Sequence, residues 1–302
     1  MKLATRIGLA ACVALGAITP ATANHSWGGY HWAKSGNSVP LTVNWAVNST
    51  WKPFFDEAMV DWKKSTVLSL TAPSTKSNAD PQKCNPIAGQ ILVCNYAYGK
   101  RGWLGIASVW LSNGHISQGT TKLNDSYWGR GSTYGNDLRR LVTCQEIGHD
   151  FGLAHQNEIF NNVNTGSCMD YTNAASGGVV NGFNYGPSNE HPNQHDYDML
   201  VSIYNHTESA SSSASTPSGT NFGIREVGRP TDAAANRSLP KEGSGDTAAE
   251  WGDAVHRDGK GRPDQFVRQL PDGTTMITHV LWAPDAKGTE AGPVHTDDGH
   301  TH

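Results

Sequence analysis

The stretch Gln145-Glu146-Ile147-Gly148-His149-Asp150-Phe151-Gly152-Leu153-Ala154-His155 decides how this chain is read, together with Ser167-Cys168-Met169-Asp170-Tyr171 just beyond it. On a helix, positions four apart share a face. Gln145 and His149 therefore point the same way, about one turn apart. Glu146 sits next to Gln145, so its carboxylate lies beside whatever that face holds instead of binding it. Gly152 can end the helix, because glycine tolerates a positive φ. The chain then turns back, and His155 can join the same site. Two imidazoles and an amide converging in this way form a candidate metal site, with Glu146 placed as a general base.

The pattern is one residue away from the long signature H-E-x-x-H-x-x-G-x-x-H with its Met-turn. It resembles the metzincins, the clan that holds astacins, serralysins, matrixins and small secreted bacterial proteases. The resemblance is motif-specific over residues 143–171 and looser over 40–206. It implies a secreted zinc-dependent endopeptidase with one catalytic Zn2+ and a peptide or protein substrate. Under it, His149 and His155 match the second and third zinc ligands, Glu146 the general base and Gly152 the turn glycine. Met169 matches the Met-turn methionine, which packs under the metal without binding it. Tyr171 matches a tyrosine that binds zinc or stabilises the tetrahedral intermediate in astacins and serralysins.

The departure is Gln145, which stands at the first ligand position. Its amide oxygen can face zinc, but it is a poorer donor than imidazole. Disturbing even an outer partner of zinc costs about 10–100-fold in affinity or activity. Two functional readings follow. One is a working endopeptidase with Gln145, His149 and His155 as ligands. The other is a metzincin-like secreted binding protein that is catalytically weak or inactive.

The chain has 302 residues, of which 37% are hydrophobic, enough for one good-sized core plus extra polar sequence. A net charge of −4 gives no electrostatic case for nucleic acid. The N-terminus reads as a signal peptide: Lys2 and Arg6, an apolar run from Ile7 to Ile18, then Ala21-Thr22-Ala23 with cleavage after Ala23. That run is too short to span a membrane, and no later one is longer. A secreted monomer is expected. Removing residues 1–23 removes Cys12 and leaves Cys84, Cys94, Cys144 and Cys168, which allow three pairings. The favoured one is Cys84–Cys94 with Cys144–Cys168, the second clamping the two halves of the proposed site. Cys144 as a metal ligand is disfavoured, since it lies about 100° around the helix from Gln145.

Leu41 to Val47 alternates like a strand, and Trp51 to Ser65 is an amphipathic helix through Phe54, Phe55, Ala58, Met59 and Trp62. Residues 90–98 and 103–111 read as strands, Tyr134 to Phe151 as the signature helix, and His195 to His206 as a last helix. The fold class expected is α+β and metzincin-like: a twisted mixed sheet, the site helix above it, and a loop-rich lower subdomain closed by a C-terminal helix. In the resembling clan, the strand matching 103–111 is an edge that pairs with extended substrate. The expected domains are a catalytic unit at 24–206, a flexible linker at 207–222, and a polar, mostly disordered tail at 223–302 with a hairpin at 265–282 around Pro271-Asp272-Gly273. Loops such as Asn124-Asp125 leave room for a structural Ca2+, with no motif to support one.

Overall fold

Strand β2 (Val39–Ala46) shows why the sheet forms. Val39, Leu41 and Val43 are buried while Pro40 is exposed, the period-two pattern of a strand with one apolar face. The computed structural model describes residues 25–34, 36–206 and 245–284. The expected signal peptide, the linker and the rest of the tail lie outside the described residues.

In chain order, β1 (His31–Trp32) precedes β2, and helix α1 (Lys52–Trp62) follows. Next come β3 (Leu68–Thr71), β4 (Ile91–Tyr96), β5 (Trp103–Ser112) and β6 (His115–Asn124). The site helix is α2 (Asn136–Asp150). A loop-rich stretch holds only the small pair β7 (Val179–Val180) and β8 (Phe183–Asn184) before α3 (Gln194–Tyr204). The C-terminal part has α4 (Ala248–Trp251), β9 (Asp253–Arg257), β10 (Pro263–Gln269) and β11 (Thr275–Trp282). Among the described residues, these make one mixed nine-stranded sheet in the order β3-β2-β4-β6-β5-β11-β10-β9, with β1 beside β6. The fold is thus α+β, as the order of sequence signals implies.

Helix α1 starts where Asn48 Oδ1 accepts from the amides of Thr50 and Trp51, with proline in the first turn. It buries Phe55, Met59 and Trp62 in the main core with Leu141 and Ile147 of α2. Trp62 Nε1 donates to the Cys144 carbonyl at 3.1 Å, which ties the two helices together. Helix α3 opens with an Asn193/Asp196 capping box. Buried Asp196 also accepts from Ser167 Oγ at 2.6 Å, and so anchors the segment that carries Met169.

Cys84–Cys94 and Cys144–Cys168 are bonded, as the favoured pairing has it. Their 24-residue separation makes Cys144–Cys168 the larger ring. Chain entropy assigns it about 3–4 kcal/mol. The Cys144→Ala/Cys168→Ala chain is expected to lose roughly that much stability in a denaturant titration, and an unchanged midpoint would contradict it.

The hairpin expected at 265–282 is present as β10 and β11, paired antiparallel from Gln265↔His279 to Gln269↔Thr275, and β9 extends it. β11 pairs antiparallel with β5 along eight residue pairs, from Thr275↔Leu111 to Trp282↔Trp103. Strand β5 is therefore interior among the described residues, where the resemblance implies an edge. The physical reason is a shared core. Trp251, Phe266, Val280 and Trp282 are too few to fold alone, but they pack with Tyr98, Trp103 and Ile106 of the preceding domain. A buried ion pair joins them, Lys122 Nζ to Asp246 Oδ1 at 2.9 Å, and Trp103 Nε1 donates to the Asp246 carbonyl.

Candidate metal site

Nearly three turns at the end of α2, from Leu141 to Asp150, are buried on all sides. A helix whose end is apolar and polar alike, yet wholly buried, must hold its polar groups in internal contacts. Phe151 and Gly152 then stop it. Gly152 has φ +94°, and a side chain there would run into the Tyr30 carbonyl. Trp27 closes this turn from below, its amide donating to the Gly152 carbonyl at 2.8 Å.

His149 Nδ1 faces the Leu153 carbonyl at 2.7 Å, so its Nε2 is the free nitrogen. His155 Nδ1 meets Glu158 Oε1 at 3.1 Å, which likewise leaves Nε2 free. Both Nε2 atoms are buried without a hydrogen-bond partner. The rings stand at 86° with centroids 4.8 Å apart. Met169 is fully buried, its sulfur against Gly148 on the underside of α2. Gln145 turns its amide nitrogen to the Cys168 carbonyl at 2.7 Å, and its oxygen is buried and unpaired.

Glu146 is 0% exposed and packs against Gly105 of β5, where any side chain would collide with its carboxylate. Neither of its oxygens has a hydrogen-bond partner. Burial pushes its carboxyl well above the ordinary range and the Asp150 charge adds to this; the Ala107 amide pulls the other way without closing a hydrogen bond. Burial, then the neighbouring His155, pushes His149 well below the usual imidazole range.

Two residues from the C-terminal part complete the surroundings. His279, 2% exposed on β11, lies opposite Ala107 of β5, with its ring centroid 3.9 Å from that of His149. One nitrogen each of His149, His155 and His279 lie within 4.8 Å of one another. Burial, then His149 and His155, holds His279 well below its ordinary pKa. Asp264 accepts from the Tyr171 hydroxyl at 2.9 Å, and Tyr171 stacks on Phe160. Tyr171 is thus brought to the site, but its hydroxyl is already engaged.

The sequence reading did not single out His279. One signal was present: a histidine inside the apolar run Met276 to Trp282, in a chain short of one imidazole. A small cavity of about 10 Å³ lies between Leu104, Leu138, Leu141, Phe160, Tyr171 and Leu281, room for one water at most. Neither His149 nor Glu146 lines it.

No known protein family and no curated protein matches the sequence. Similar solved structures include high choriolytic enzyme 1, a hatching-enzyme zinc protease from the medaka fish Oryzias latipes. It is 14% identical, with a TM-score of 0.31, covering 58% of this chain and 94% of that one. Two structures of myroilysin are each 12% identical. Their TM-scores are 0.34 and 0.30, over 61% and 64% of this chain and 99% and 98% of theirs. At this level of likeness, function rests on the side chains of this chain.

Among the described residues no helix is long and apolar enough to cross a membrane.

Proposed function

We propose that this chain is a secreted zinc-dependent endopeptidase that hydrolyses peptide bonds with Glu146 as general base. One observation carries the reading: two buried imidazole nitrogens, on His149 and His155, lack any donor beside an unpaired buried carboxylate. Burying such nitrogens unsatisfied is costly, and a bound dication would take both at once. The donor set suits zinc, which takes neutral imidazole nitrogen. His149 and His155 would hold it, and Gln145 offers the amide oxygen that the signature places beside them.

Zinc bound there supplies a Lewis acid for a scissile carbonyl and a lowered pKa for water. Glu146 would accept the proton of the attacking water and hand it to the leaving amine. The cation's charge favours the ionised carboxylate and so opposes the effect of burial. Tyr171, once released from Asp264, would donate to the developing oxyanion. The two disulfides fit an oxidising compartment and so support secretion.

A second reading has its own observation. The complete burial of Glu146 and His149 favours a metal-holding protein that does not cleave. Zinc content of the purified mature chain, measured beside hydrolysis of an unfolded protein with and without chelator, separates the two. Bound zinc with chelator-sensitive cleavage is expected. Zinc without cleavage leaves the second reading, and neither zinc nor cleavage removes both.

A further inference from the structure

The metal reading leaves the third nitrogen unassigned, and the hydrogen bonds of His279 assign it. The Tyr171 hydroxyl carries one proton, and Asp264 Oδ2 accepts it at 2.9 Å. In its second contact, with His279 Nε2 at 3.0 Å, Tyr171 therefore accepts and the imidazole donates. That fixes the tautomer: Nε2 carries the hydrogen and Nδ1 carries the lone pair. Nδ1 is buried with no hydrogen-bond partner. It lies 3.7 Å from Glu146 Oε2, beyond hydrogen-bond reach.

An ordinary core histidine would have both ring nitrogens satisfied. Here the three rings share one arrangement. Each spends its N–H outward, His149 on the Leu153 carbonyl, His155 on Glu158, and His279 on the Tyr171–Asp264 pair. Each leaves its other nitrogen bare in the interior. Outward tethering by a carbonyl or carboxylate is how metal-binding imidazoles are oriented and made more basic. Tetrahedral zinc, with bonds of about 2.0–2.1 Å, needs nitrogens roughly 3.4 Å apart. These three rings come within 4.8 Å of one another, so small ring rotations close the site. Gln145 offers only a neutral oxygen, the poorer donor for zinc.

We propose that His279, carried by the C-terminal hairpin, is the third metal ligand, supplying the imidazole that the signature helix lacks at Gln145, so that the metal fastens β11 to the body of the domain. The proposal rests on the zinc reading above. It makes the site a joint product of two parts of the chain, with β11 holding metal and metal holding β11.

The test is zinc affinity of the full chain against a competing chelator, with the visible spectrum of the Co2+-substituted protein reporting the nitrogen ligands. His279→Ala is expected to weaken binding at least 10–100-fold, the range already seen for loss of an outer partner. Gln145→Ala is expected to weaken it less than His279→Ala does, and adding Gln145→His to His279→Ala to restore it. Undiminished affinity in His279→Ala, where His149→Ala abolishes binding, would overturn the assignment and leave the zinc reading standing. A wild-type chain that binds no zinc would fail the zinc reading itself. A measurement on the wild type guards against a variant that does not fold. Chelation is expected to speed amide exchange in β10 and β11 more than in β2 and β4, and equal protection with and without metal contradicts the proposal.

Discussion

Replacing Glu146 with glutamine is expected to lower hydrolysis of an unfolded protein by about 10²–10⁴-fold while zinc stays bound, the range a general base contributes. The substitution keeps the shape that fits against Gly105 and removes only the basic oxygen. Zinc retention matters, because Glu146 is beside the proposed ligands and is not one of them. Hydrolysis that survives in the variant would mean another group takes the proton, and the endopeptidase reading would lose its central residue. The same variant has a signature in chelated protein. Glu146 has a raised folded pKa, from burial first and Asp150 second. Below the ordinary glutamate value, the carboxyl is neutral folded and unfolded, and glutamine gains nothing. As pH rises past that value the unfolded chain ionises while the folded chain resists, so the wild type loses stability and the variant does not. Thermal melts in chelator are expected to separate with rising pH in the variant's favour.

What could be read in the sequence was local. The helix, its glycine stop and the return of His155 follow from spacing within a dozen residues, because helical periodicity fixes which side chains share a face. The α+β order came from strand alternation and from the apolar stripe of α1. The Cys144–Cys168 pairing was one of three, and composition alone could not choose among them. His279 was hidden for a different reason. Its partners Glu146, His149 and His155 lie far back in the chain, and strand pairing across that distance leaves no periodic trace. The hairpin itself was signalled by Pro271-Asp272-Gly273, but a hairpin alone is marginal, and the Trp103 and Ile106 it packs against lie far back in the chain. Lys122 and Asp246 form a buried pair across the same junction. Shared cores and long-range ion pairs are properties of two segments together, and a segment-by-segment reading misses them.

A chain whose β11 is covalently locked to β5 is expected to lose peptide hydrolysis, down to the level of the Glu146→Gln variant. Glu146, His149 and Gln145 are each 0% exposed, and none of them lines the small cavity beside Tyr171. A peptide cannot meet a carboxylate so enclosed unless something covering it moves. The cover on the β5 side is β11, whose His279 stands opposite Ala107 and places Nδ1 near Glu146. Ser108 and Thr278 are register partners, their hydroxyl oxygens 2.9 Å apart, so Ser108→Cys/Thr278→Cys can form a disulfide across the ladder. Local opening of such a strand costs less than global unfolding, and the bond removes that opening alone. Oxidised protein should be inactive and still folded. Mild reduction should restore cleavage, with the wild type in the same reductant showing that the buried native disulfides are untouched. Cleavage by the locked chain at the wild-type rate would place the route of substrate entry away from β11. The opening that admits a peptide also withdraws His279, so the most tightly metallated state of this chain is expected to be its least active one.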